Sequence, residues 1–300
     1  MRTALIDHVS VGAILGESPI WLPDSGVFLW LDLLGRKVHR FDPHRRENAV
    51  VADGFSENLA CLVRLAEGHV LLVTATKFVR LDPFNGTSAA VVAPLVPEDN
   101  TCFNDGKVAP DGSFWLGTSD VDEIEPTGSL YRIAGTPVDV VDRGFVISNG
   151  PAFSPGGRKA YFADSAGRRI LQYELDDAGL PVSRSRFAII PDSDGLPDGL
   201  TVDSSGRVFS AHWQGSRITV YGPDGVIRDR ICLPARNITS CTFGGHDLSH
   251  LLVTSASIDA GDEAGDSEGD IFLFETDCAG IPEPVFVFPL RRTSNRSAVV

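Results

Sequence analysis

The sequence predicts an all-β fold, a six-bladed β-propeller with four-stranded blades around a central channel. Three observations carry that prediction. Glycine (30 residues) and proline (19) are spread over the whole 300-residue chain, which suits short strands and turns better than long helices. No run of a dozen residues shows clean helical apolar periodicity with caps. One hairpin grammar, apolar strand, polar turn, apolar strand, recurs six times: SPIWLPDSGVFLWLD, LVRLAEGHVLLVTA, GKVAPDGSFWLGTSD, PAFSPGGRKAYFADS, LTVDSSGRVFSAHW and CTFGGHDLSHLLVTSA. Their turn glycines Gly26, Gly68, Gly112, Gly157 and Gly206 are separated by 42, 44, 45 and 49 residues, and a sixth turn around Ser249 follows 43 later. A period of ~40–50 residues with four strands per unit is that of a propeller blade.

Most units continue outward into further strands: KVHRFDP, KFVRLDP, GSLYRI, RILQYEL, RITVYGPDG and DIFLFET. Six units fill residues 1–300 as one domain. A β-sandwich also has frequent turns, but it has no reason to repeat one hairpin at near-constant spacing. A ring needs its ends joined, and TALIDHV near the N-terminus is expected to pair beside PVFVFPL near the C-terminus, hiding both edges.

Composition bounds the partners. With 26 basic and 40 acidic residues the formal net charge is −14, against nucleic acid and anionic membranes, which call for a basic face. No apolar stretch reaches 18 residues, so no membrane span is expected. The first residues lack a basic segment followed by an apolar one, so no secretory signal is expected and a cytoplasmic location is. Five scattered cysteines form no CxxC pair, neither a disulfide framework nor a zinc-thiolate site. No obligate protein partner is evident.

In a propeller the first strand of each blade lines the channel. Eight residues before the turn glycines stand Ala60, Asn104, Asn149 and Asp198, and nine before Gly26 stands Glu17. Four of these five are oxygen donors, in the contexts GESPIW, FNDGKV, SNGPAF and PDGLTV. Converging carboxylates repel and raise each other's pKa unless a cation neutralises them. Two carboxylates and an amide oxygen, without imidazole or thiolate, describe a site for one hard divalent cation. Ca2+ fits best, with Mg2+, Mn2+ and Zn2+ as alternatives.

From GESPIW to CTFGG the chain resembles the SMP-30/gluconolactonase/luciferin-regenerating-enzyme family of six-bladed propellers, which includes regucalcin and many bacterial sugar lactonases. The resemblance implies that the cation is held by the Glu of G-E-x-P-x-W, the Asn of S/T-N-G and the Asp of D-G, here Glu17, Asn149 and Asp198. Spacing alone picks out the same three. It also implies that Asn104 of FNDGK lies beside the metal in touch with substrate or water, and that a loop acid, aligned approximately with Asp122, binds substrate. One departure stands out. The family often carries Arg two residues before that Asn, where this chain has Cys102, and exchanging five donors for a small thiol should alter substrate choice.

Other motifs read more plainly. Gly265-Asp266-Ser267-Glu268-Gly269 has the G-x-S-x-G pattern but lies in an acidic loop, without the strand-to-helix turn a nucleophile elbow needs. That loop does not fit EF-hand spacing either and reads as a solvated loop, a candidate lid near the channel mouth. Asp192 and Asp194 read as a turn leading into the channel strand. His212, in the apolar stretch SAHW, reads as a core histidine, and Cys102, with no neighbouring His, as a packing residue rather than a nucleophile.

The expectation is metal-dependent hydrolysis of a sugar lactone, an aldonolactone, with Asp198 as ligand and general base, Glu17 and Asn149 as further ligands, and Asn104, Asp122 and Cys102 towards substrate. The rival readings are a non-catalytic calcium-binding or regulatory protein, and an esterase acting on less polar esters.

Overall fold

The computed structural model describes residues 1–261 and 265–287. Among them, six four-stranded antiparallel sheets form the blades of a propeller. The innermost strands are β2 (Gly16–Leu22), β6 (Leu59–Arg64), β10 (Thr101–Val108), β14 (Ser148–Phe153), β18 (Leu196–Val202) and β22 (Asn237–Gly244). Each meets its second strand through the predicted turn, and the five turn glycines all have φ between +65° and +84°. No helix among the described residues is long and apolar enough to cross a membrane.

The core lies between blades. Strand side chains alternate from face to face, and each face packs on a neighbouring blade, so second strands such as VFLWLD and VLLVT read as nearly continuous apolar runs. In β3 (Val27–Asp32), Leu29 and Leu31 join Leu62 and Leu72 of the second blade, while Phe28 and Trp30 join Leu252 and Leu273 of the sixth. There is one such apolar cluster at each of the six blade interfaces. Exposure rises outward: β2 is buried throughout, whereas β5 (Glu47–Ala52) is not buried anywhere.

The ring closes differently from the sequence expectation. β1 (Thr3–Val9) does complete the last blade, but it pairs with β24 (Ile271–Thr276), from Thr3↔Thr276 to Val9↔Ile271, and not with PVFVFPL. The reason is in that segment's own sequence. Pro284 removes a backbone donor from it, and Pro282 another just before it, which unfits this stretch for a ladder. It runs instead across the end of the channel away from the inner-strand starts. Glu283 O accepts from Arg64 Nη1 at 2.8 Å, Phe286 N–H donates to Arg64 O at 2.8 Å, and Phe286 is buried against Phe114. Residues 288–290 of PVFVFPL lie outside the described residues.

Candidate metal and substrate site

Every innermost strand is irregular at the same level. Pairing with the second strand skips between Glu17 and Ile20, Leu59 and Cys61, Phe103 and Gly106, Asn149 and Pro151, Pro197 and Leu200, and Ile238 and Ser240. A bulge places two residues opposite one and re-aims side chains. Six bulges at one level bring Glu17, Ala60, Asn104, Asn149 and Asp198 to the wall of one cavity of about 200 Å³, as counting from the turns predicts. The sixth bulge supplies Thr239, which is fully buried and donates to the carbonyl of Gly16, the residue before Glu17. It braces the strand that carries Glu17.

The bulges demand close approach between blades. Gly150 follows Asn149 with φ +43°, and a Cβ there would sit 2.8 Å from Leu200 backbone; one on Gly199, after Asp198, would sit 2.2 Å from Ser240 Oγ. The Asn-Gly and Asp-Gly pairs are thus packing requirements as well as donor positions.

One bulge residue is missed by sequence reasoning. Asp105 also lines the cavity, because the bulge in β10 turns both Asn104 and Asp105 inward where strict alternation would send one away. Its Oδ1 accepts from Gly106 N–H at 2.7 Å and its Oδ2 from Gly150 N–H at 2.9 Å. Asn104 spends its amide hydrogens on Ser148 O at 2.7 Å and Asn149 Oδ1 at 2.8 Å, which leaves its Oδ1 for a ligand. Asn149 Nδ2 donates to Ser165 Oγ at 3.1 Å, and Ser165 Oγ donates to Pro197 O at 2.7 Å. Both amides are therefore held in one orientation.

The cavity gathers buried carboxyls that raise one another. Burial, then the charges of Asp198 and Asp105, raise the Glu17 carboxyl well above its usual range. Burial and then Asp105 do the same to Asp198, against a hydrogen bond from Gly199. Enclosure also raises Asp105, which Lys107 partly offsets. No Lys, Arg or His belongs to the cavity wall among the described residues. Among the described residues no three His, Cys, Asp or Glu cluster closely enough to hold a metal by themselves. Glu17, Asp198 and Asn149 make an all-oxygen, two-carboxylate set that fits a hard divalent cation.

The remaining expected residues fall as follows. Asp122 is exposed and outside the wall; its neighbour Glu123 lines the cavity instead, with φ +56°. Cys102 is half-buried at the start of β10 and also outside the wall; burial, then Glu123 and Asp120, push its thiol up. Trp213, Leu15, Leu33, Ile147 and Leu196 supply the apolar part of the cavity wall. Asp259, at the start of the acidic loop expected near the mouth, lines the cavity as well; residues 262–264 of that loop lie outside the described residues. The G-x-S-x-G segment is a turn with no helix after it, and its Glu268 carboxylate accepts from Arg236 N–H. His212 is fully buried and lowered to about 4 by burial, with Nδ1 bonded to Asp194 O at 2.7 Å. Asp194 pairs with Arg217 at 3.1 Å and Asp192 with Arg168 at 3.0 Å, which makes both parts of the turn before β18.

The chain is similar to known proteins over nearly its whole length. A family model described as SMP-30/Gluconolactonase/LRE-like region matches residues 15–257. A 6-deoxy-6-sulfogluconolactonase from Pseudomonas putida is 32% identical over 279 residues, covering 91% of this chain and 95% of that protein. A pentonolactonase from Haloferax volcanii is 33% identical over 292 residues, covering 92% and 95%. A crystal structure of a calcium-binding protein, regucalcin, from Agrobacterium tumefaciens superposes with a TM-score of 0.86 at 26% identity, covering 95% of this chain and 98% of that one.

Proposed function

The chain belongs to the SMP-30/gluconolactonase/LRE-like family, and from that premise we propose that it is a divalent-cation-dependent hydrolase of a sugar lactone. The observation that carries the reading is the convergence of Glu17, Asp198 and the oriented amides of Asn149 and Asn104 on one cavity without a basic residue in its wall. Relatives that hydrolyse sugar lactones support the substrate class. Glu17, Asn149 and Asp198 would hold the cation, with Ca2+ favoured by the oxygen-only set. When bound, the cation polarises the lactone oxygen on which negative charge develops, an effect of several kcal/mol.

The chain's own groups do the rest. Asp198 accepts a proton from the attacking water while the water oxygen adds to the lactone carbonyl carbon. The ring C–O bond then breaks, and the departing ring oxygen takes the proton held by Asp198, which regenerates the carboxylate and gives the open aldonic acid. For this Asp198 must be ionised, and in its buried setting beside Asp105 and Glu17 the ionised form needs a neighbouring positive charge. Asn104 Oδ1, with both amide hydrogens committed elsewhere, accepts from a substrate hydroxyl. The strap around Glu283 covers the far end of the channel, so substrate approaches from the Glu123 and Asp259 side.

The test is proton release from a panel of aldonolactones, with and without chelator, alongside thermal melts with Ca2+, Mg2+, Mn2+ and Zn2+. Chelator-sensitive turnover is expected, with saturable stabilisation by a cation that is largely lost in Glu17→Gln and Asn149→Ala. Cation binding without turnover of any lactone would favour a regulatory calcium-binding protein, the reading that similarity to a calcium-binding regucalcin supports. Preference for hydrophobic esters would favour an esterase.

A further inference from the structure

Five carboxylates line the cavity, Glu17, Asp105, Glu123, Asp198 and Asp259, and no basic side chain does among the described residues. They play different parts. A divalent cation on Glu17, Asn149 and Asp198 is balanced by those two carboxylates. Asp105 is engaged by the N–H groups of Gly106 and Gly150 and has Lys107 nearby. Glu123 and Asp259 remain, one from the third blade and one from the sixth. The two are close enough to interact: burial, then the charge of Asp259, raises the Glu123 carboxyl.

Two guanidinium groups in loops at this end are directed elsewhere. Arg168 donates to the carbonyls of Pro191 and Gly195 and pairs with Asp192, and Arg36 donates to Asn58 Oδ1. Among the described residues no basic side chain shares the cavity wall with Glu123 and Asp259, although the Arg236 guanidinium lies beside Gly261, two residues on from Asp259, and the low-dielectric wall focuses their field into the opening.

We propose that Glu123 and Asp259 form a charge filter at the mouth, which admits neutral sugar lactones and repels lactones carrying a sulfate, phosphate or carboxylate group. The inference rests on the lactone-hydrolase reading above and narrows it to a substrate class. It makes Glu123 and Asp259 specificity-determining residues, acting on the part of the substrate remote from the reacting carbonyl.

The test compares gluconolactone with its 6-phospho counterpart, matched except for the anionic group, by kcat/KM at ionic strengths from 20 mM to 0.5 M. The neutral lactone is expected to lead by about tenfold or more at low salt, with the gap closing several-fold at high salt as the Debye length shrinks. Glu123→Gln combined with Asp259→Asn should close the gap at low salt in the same way, the readout being the ratio between the two substrates. If the double variant misfolds, the single variants and the salt series on the unaltered protein carry the same test. A ratio near one, or a gap that neither salt nor substitution narrows, would overturn the filter while leaving lactone hydrolysis in place. Turnover of no lactone at all would overturn the parent reading, and this inference with it.

Discussion

Asn104 and Asn149, on neighbouring blades, are locked amide to amide: Asn104 Nδ2 donates to Asn149 Oδ1 at 2.8 Å, and its second hydrogen goes to Ser148 O at 2.7 Å. The pair fixes which oxygen of each side chain is presented to the cavity. Asn104→Ala should destabilise the protein by about 1–2 kcal/mol through the two lost hydrogen bonds. It should also weaken cation binding, although Asn104 is not assigned as a ligand, because Asn149 is no longer oriented. Denaturant titration with and without Ca2+ checks both; unchanged cation affinity would mean that Asn149 holds its orientation through Ser165 alone.

Asp198→Ala should reduce turnover to below a tenth while leaving a folded protein. In the absence of cation the variant should be more stable than the parent, since it removes a buried carboxyl that Asp105 and burial make costly to ionise. Melting curves in chelator at pH 7 and steady-state rates with cation measure the two effects. Retention of a tenth or more of the activity would remove Asp198 from its proposed role as base.

The raised Glu17 and Asp198 carboxyls set a sign for pH dependence. Between the unfolded carboxyl range, about 4, and the raised native values, the native cation-free protein holds protons that the unfolded chain has released. Stability therefore falls as pH rises through that window. Saturating cation favours the ionised carboxylates and should cancel the fall. Melting temperatures from pH 5 to 8 in chelator should decline more steeply for the parent than for Glu17→Gln/Asp198→Asn. Parallel profiles would show that these two carboxyls do not titrate abnormally.

Cys102 sits where Glu123 and Asp120 are its charged neighbours, so a longer cationic side chain there would have carboxylates to lie against and a mouth to reach over. Cys102→Arg should raise kcat/KM for gluconolactone by roughly tenfold or more, on the scale of a hydrogen bond to a charged group. Metal affinity should hardly change. A well-folded variant with an unchanged ranking of lactones would show that this position does not meet substrate.

Most of the architecture was legible because a propeller repeats its turns: one glycine spacing located six hairpins, and counting inward from them located Glu17, Ala60, Asn104, Asn149 and Asp198. What was not legible depends on departures from periodicity. Asp105 faces the cavity only because β10 bulges, and Thr239 takes the sixth place without being a donor to it. The mouth residue is Glu123 and not Asp122, since an irregular loop with a left-handed residue has no period from which a one-position slip could be detected. The partner of TALIDHV was misjudged because PVFVFPL looks apolar enough for a strand, whereas its place is decided by Pro282, Pro284 and the Arg64 contacts beneath the channel.

The pairing of Thr3–Val9 with Ile271–Thr276 also has a consequence in time. A ribosome adding about 5–20 residues per second finishes the first of these strands on the order of 10–50 s before the second. Throughout that interval the nascent chain can stack blades one upon another but cannot shut the ring. Trp21, Phe28 and Trp30 meanwhile wait for Leu252, Ile271 and Leu273, which cover them in the finished protein. Of this pair the strand made first is the last to find its place, and the aromatic face beside it stays uncovered until the last blade is made. A permuted chain that starts at Gly16 and carries Thr3–Val9 after Thr276 would make both partners of the seam strand together, yet would leave that aromatic face waiting as long as before.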